Sequence, residues 1–161
     1  MFELTGIIVI GVIATLATDV WQRLLQAIGV PAANWGLIGR WVAGFRHGIF
    51  LHRSIAAAPV VPGETAIGWA FHYGIGIAYA AAYLAIVTFA FGTGPTLGSA
   101  LVFAIVLLAA PWFIMQPALG LGFMASRAAK PAAVRVINIS VHVVFGLGLY
   151  LAALVWFAGT I

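Results

Sequence analysis

The sequence predicts an all-α membrane protein: four transmembrane helices in a bundle, with an amphipathic interfacial helix in the first cytoplasmic loop. Three observations carry this reading. Of the 161 residues, 65% are hydrophobic and only 6% are charged, against roughly 25% charged in a soluble domain. Four apolar stretches reach the ~20 residues that cross a bilayer. All seven Lys and Arg fall at or between the ends of spans one and two or of spans three and four. Seven basic and three acidic side chains cannot coat a globule of this size in water. The chain is expected to form one polytopic membrane domain over residues 1–161, with the lipid bilayer as its main partner.

Span one is placed at about residues 4–28. No Lys or Arg precedes it, whereas a signal peptide wants a positive n-region. It is therefore expected to stay as a membrane span. The following connection, residues 29–65, is longer than a simple link requires. Within it, 36–55 reads "GLIGRWVAGFRHGIFLHRSI", with Ile38, Trp41, Val42, Phe45 and Ile49 at helical spacing. Arg40, Arg46, His47 and Arg53 lie between them. Such a helix can rest in the headgroup plane, aromatics down and arginines snorkelling out. Gly39, Gly44 and Gly48 weaken it in isolation, so packing must hold it.

Pro59, Pro62 and Gly63 break the chain before span two, at about 66–91. "FGTGPT" (Phe91–Thr96) is a tight turn into span three, at about 96–121. Pro111 and Pro117 are expected to kink span three and to free carbonyls near Leu107 and Phe113. The basic loop "ASRAAKPAA" (Ala125–Ala133) leads to span four, at about 134–157. Small residues at Gly74, Ala78 and Ala82 offer span two a close-packing face.

The cations orient the bundle. Loops one and three carry them, while the N-terminus, loop two and the C-terminal tail have none. By the positive-inside rule, loops one and three are cytoplasmic and both termini lie outside. This distribution also argues against nucleic acid as a partner, which needs a basic face in water. The chain has no cysteine, which excludes thiol relays, iron–sulfur clusters and thiolate metal sites.

Each span carries polar or small residues along one face. Span one has Gly11, Thr15, Asp19, Gln22 and Gln26; span two has Thr65, Gly68, His72, Gly76, Tyr79 and Tyr83. Span three offers Trp112, Gln116 and Gly120, and span four Arg135, Asn138, His142 and Gly146. Lipid gives such groups nothing to bond, so these faces should turn inward. At 1.5 Å per residue, Asp19, His72, Gln116 and His142 lie roughly 8–13 Å from the cytoplasmic ends of their spans. A cluster of Asp19, His72, Gln116, Asn138 and His142 is therefore expected in the cytoplasmic half.

The ordered motifs also resemble a bacterial family of small four-span membrane proteins known only as a domain of unknown function. They are "IATLATD" (Ile13–Asp19), "GRW" (Gly39–Trp41), "FLH" (Phe50–His52), "GETAIGWAFHYGIG" (Gly63–Gly76), "APWFIMQPALGLGF" (Ala110–Phe123) and "HVVFGLGLYLAAL" (His142–Leu154). The resemblance implies a bacterial inner membrane and brings no activity or cofactor. It picks out Asp19, Arg40, His52, Glu64, His72, Gln116 and His142.

Three functions compete. The first is a cytoplasm-facing polar site that binds a small ligand, cation or proton in a transporter-like role. There Asp19 is the carboxylate, His72 and His142 the titrating pair, and Gln116 and Asn138 the neutral partners. Arg40 receives an anionic ligand at the mouth, and four thin spans favour a homo-oligomer. The second is a membrane-embedded enzyme or cofactor protein holding a divalent metal or haem, with His72, His142, His52 and Glu64 as ligands. The third is an assembly protein whose polar cluster only fixes helix register. For Asp19 the plain reading is a pair with Arg23, four residues on. No protease or phosphate-loop motif is present, so the balance leans away from an enzyme.

Overall fold

The computed structural model describes residues 3–159. Four of its helices are long and apolar enough to cross a bilayer: Leu4–Ala27, Glu64–Ala90, Leu97–Ala118 and Pro131–Ala158. These agree with the four predicted spans to within a few residues, and no strand occurs among the described residues. The elements in order are α1 (Leu4–Ala27), α2 (Trp35–Gly44), α3 (Glu64–Ala85), α4 (Leu97–Val106), the single turn α5 (Gln116–Ala118) and α6 (Pro131–Ala158). Large apolar side chains such as Leu16, Phe89, Val102 and Val155 are exposed. Water would penalise that surface, and lipid accepts it.

The chain forms two units. Unit one takes the chain up to Ala32, Tyr73–Val106 and the chain from Ser140; unit two takes Ala33–His72 and Leu107–Ile139. Helices α3 and α6 contribute residues to both.

Unit one is held by small residues. A methyl group at Gly11 would strike the Ile77 backbone, and one at Gly148 would strike Ala14. Ala14, Ala80, Ala100 and Ala104 are fully buried. With no water to expel inside a membrane, such close backbone approach is what gives helices contact area. The packing face of α3 passes through Gly76, Ala80 and Leu84, and continues to Val87 in the π turn that follows. Gly74, Ala78 and Ala82, expected to form that face, are exposed instead. Spacing of small residues fixes a stripe but not which stripe meets a neighbour. Tyr83 is buried, and its hydroxyl reaches Ser99 Oγ at 2.9 Å and Thr96 O at 3.2 Å.

Unit two has a mixed core of Trp41, Ile55, Ala118 and Leu119, with Phe45, Phe71 and Met115 against it. The predicted interfacial helix over 36–55 is shorter than expected. Helix α2 ends at Gly44, a tight turn follows over Phe45–His47, and the chain reverses at Gly48. Residues 49–54 then have no regular secondary structure, and are held by Trp41 Nε1 donating to Phe50 O at 2.9 Å. His52 N donates to Ala118 O at 2.8 Å, and Ile55 N to Leu119 O at 3.1 Å. The glycines that weaken a long helix end it here.

The predicted kink in span three takes a specific form. Pro111 has no N–H, yet Leu107 O is not left free: Ala110 N reaches it at 3.0 Å. A π turn over Pro111–Met115 follows. The extra residue in that turn re-aims the side chains after it.

Candidate functional site

Unit two gathers most of the candidate residues. Asn34 caps α2, its side chain accepting from Leu37 N at 3.2 Å. Helices α2 and α3 then cross so closely that a methyl group at Gly39 would collide with the Glu64 carbonyl oxygen. One at Gly68 would collide with the Trp35 carbonyl oxygen. That crossing brings Arg40 onto Glu64.

Arg40 is 8% exposed, although it was expected at the headgroup level or on an anionic ligand. Its Nε donates to Glu64 Oε2 and its Nη2 to Glu64 Oε1, both at 2.8 Å. Its Nη1 donates to Ala58 O at 2.8 Å and to Ile55 O at 3.2 Å. The anion that Arg40 holds here is the carboxylate of Glu64. The hydrogen bond to that carboxylate, outweighing desolvation, holds the guanidinium above its ordinary pKa. Glu64 Oε2 also accepts from Val61 N at 3.0 Å, which ties the loop before α3 to the pair. A planar fork matching a carboxylate suits this junction in a way a lysine cannot.

Beyond the π turn, Gln116 and Asn138 meet as the sequence led one to expect. Gln116 Nε2 donates to Asn138 Oδ1 at 2.7 Å, and Trp112 Nε1 donates to the same oxygen at 3.2 Å. Gln116 is 3% exposed, and its Oε1 is buried with no hydrogen-bond partner. A second buried polar atom without a partner is His52 Nε2. It lies on the Gly44 side of the segment that is laced to Ala118. Buried polar atoms are nearly always bonded, so each marks a place for a donor, a water or a ligand.

His72 belongs to an aromatic group. Its ring stacks on Trp35 at 3.9 Å and meets Trp69 edge-on at 5.7 Å. Trp35 and Trp69 carried no weight in the sequence reading. Trp69 shows at i−3 from His72, whereas Trp35 has no signal before α2 is placed.

Asp19 and His142 belong to unit one. Asp19 Oδ2 accepts from Tyr73 Oη at 2.7 Å. Tyr73 was missed, though it sits beside His72 in a motif already singled out. Arg23, the sequence candidate for pairing with Asp19, is exposed, and His142 is half-buried.

Two members of the expected metal set of His52, Glu64, His72 and His142 are already engaged by other side chains. Glu64 is bonded to Arg40 through both oxygens, and the His72 ring is stacked on Trp35. Among the described residues, no three His, Asp or Glu side chains gather closely enough to hold an ion.

A family model described as "Protein of unknown function (DUF2938)" matches residues 8–156. Neither the curated proteins nor the solved structures compared include a match.

Proposed function

The chain belongs to the DUF2938 family, whose function is unknown, and we propose from its own residues that it binds a small polar ligand, cation or proton within the membrane, in a transporter-like role. The observation that carries this is the unpartnered Oε1 of Gln116, buried beside Asn138 and Trp112 after a π turn in the third span. An amide oxygen only accepts. Its occupant must therefore bring an N–H, an O–H or positive charge. π turns recur at functional sites because they break the regular ladder and re-aim side chains. Asn138 and Trp112 fix the amide so that the oxygen is held ready.

The protein is read as a multi-pass protein of a bacterial inner membrane, with loops one and three cytoplasmic. The distribution of Lys and Arg supports that orientation. The site opens to the cytoplasm. Arg40 and Glu64 serve it structurally, by locking α2 to α3 in unit two.

The test uses the full chain in proteoliposomes. Proton, ammonium, potassium and magnesium gradients are imposed in turn, with flux followed by ion-sensitive dyes. Flux of one of these ions is expected, lost in Gln116→Met and kept in Tyr73→Phe. If the full chain moves none of them, or Gln116→Met moves as much as the native chain, the reading fails.

A further inference from the structure

Unit two is electrically lopsided. It holds Arg40, Arg46, Arg53, Arg127, Lys130 and Arg135, against Glu64 as its one acidic residue. That carboxylate is bonded to Arg40. Arg46, Arg53, Arg127 and Lys130 are exposed.

Between Arg46 and Arg53 the chain presents three apolar side chains outward. Ile49 is 48% exposed, Phe50 56% and Leu51 75%. This exposure is built into the backbone. Ile49 N is tied to Gly44 O at 3.1 Å, Phe50 O to Trp41 Nε1 at 2.9 Å, and His52 N to Ala118 O at 2.8 Å. The chain next passes flush over Gly120, which has φ +88°, and a methyl group there would strike the Arg53 carbonyl. With its backbone anchored at Ile49, Phe50 and His52, the segment holds these apolar side chains outward.

We propose that residues 46–53 form a docking wedge for anionic phospholipid. Ile49, Phe50 and Leu51 enter the acyl boundary, while Arg46 and Arg53 take the headgroup phosphates on either side. Two features favour lipid over a second copy of the chain. The cations flanking the wedge would face like charge in a symmetric dimer of this surface. A phospholipid instead offers phosphate to both arginines and acyl chain to the three apolar side chains at once. Basic, apolar-tipped segments seat at anionic leaflets by the same two contributions. The inference is independent of the Gln116 site.

The experiment measures lipid retention by native mass spectrometry. The full chain is exchanged from mixed phosphatidylglycerol/phosphatidylcholine nanodiscs into detergent. Phosphatidylglycerol is expected to remain bound in preference to phosphatidylcholine. Each of Arg46→Gln and Arg53→Gln should weaken that preference about fivefold, and the double variant about 30-fold. Phe50→Ser should reduce retention of both lipids. All three side chains are exposed, so elution as a single species checks folding. Equal retention of the two lipids, or an unchanged preference in the double variant, overturns the proposal. So does displacement by inorganic phosphate alone, which would make this a phosphate site. A Phe50→Ser variant that changes oligomeric state with lipid unchanged would assign the wedge to a second copy instead.

Discussion

Unit one and unit two share α3 and α6 yet are held by different means. In unit one, backbones touch through Gly11, Gly76 and Gly148, and single hydrogen bonds such as Tyr73 to Asp19 and Trp21 to Ser140 join distant parts of the chain. Thr15 and Thr18 return their hydroxyls to the carbonyls of Gly11 and Thr15. In unit two, one guanidinium makes four hydrogen bonds and ties α2, α3 and the loop between them together. Unit one relies chiefly on close backbone packing. Unit two leaves two buried polar atoms, His52 Nε2 and Gln116 Oε1, without a hydrogen-bond partner, and the proposed ligand site rests on the second.

The largest expected effect tests the junction in unit two. Arg40→Met strands the Glu64 carboxylate among carbonyls that lose their donor. Folded yield and thermal midpoint should fall further than for substitutions at Gly11, Gly39, Tyr73 or Gln116. Replacing both partners, Arg40→Met with Glu64→Met, should recover part of the loss, because no charge is then left alone. If Arg40→Met melts like the native chain, the polar account of unit two is broken.

Next come the close approaches. Gly11→Val in unit one and Gly39→Val in unit two each push a side chain into a neighbouring backbone. Each should cost about 1–3 kcal/mol in reversible unfolding. A neutral Gly11→Val would mean that α1 and α3 do not pack as described.

Tyr73→Phe removes the hydroxyl bonded to Asp19. A loss of about 1 kcal/mol is expected, the usual scale for such bonds between membrane helices. A much larger loss in thermal unfolding would move Asp19 from a satisfied scaffold residue to a centre of its own.

The smallest effect on stability is the most informative. Gln116→Met gives up one bond to Asn138 but also removes a buried oxygen that has no partner. These opposing terms are each about 1 kcal/mol or a little more. The midpoint should therefore stay level or rise while ion flux is lost. A clear destabilisation would make Gln116 a structural residue.

Much of the fold was legible because a bilayer imposes a length on every span. The four spans, their order and the inward turn of Thr15, Gln116 and Gly146 followed from it. The Gln116–Asn138 contact was legible too, since both residues lie on inward-turned polar stripes and were placed in one cluster. The Arg40–Glu64 pair was not drawn, although its signal was present. An arginine among apolar residues and one of only three acids in the chain both stood in the motifs singled out. What hid it was loop one. A 36–55 helix lying at the headgroups would have kept Arg40 in water, whereas a helix ending at Gly44 folds it inward. The choice between Gly74 and Gly76 as packing residues depends on helix rotation, which composition does not carry. The bond from Tyr73 to Asp19 depends on the same rotation.

The central proposal is that the buried Gln116 oxygen belongs to a binding site reached from the cytoplasm. The chain has no cysteine, so a single introduced thiol reports its own access. Gln116→Cys would be treated with a membrane-impermeant ammonium methanethiosulfonate in right-side-out and inside-out vesicles. Ser54→Cys reports the side of loop one, proposed to be cytoplasmic, and Ala153→Cys, fully buried in unit one, is the unreactive control. The account predicts slow but complete labelling of Gln116→Cys from the cytoplasmic side alone. Labelling from the outer side alone, or none from either side, would contradict it.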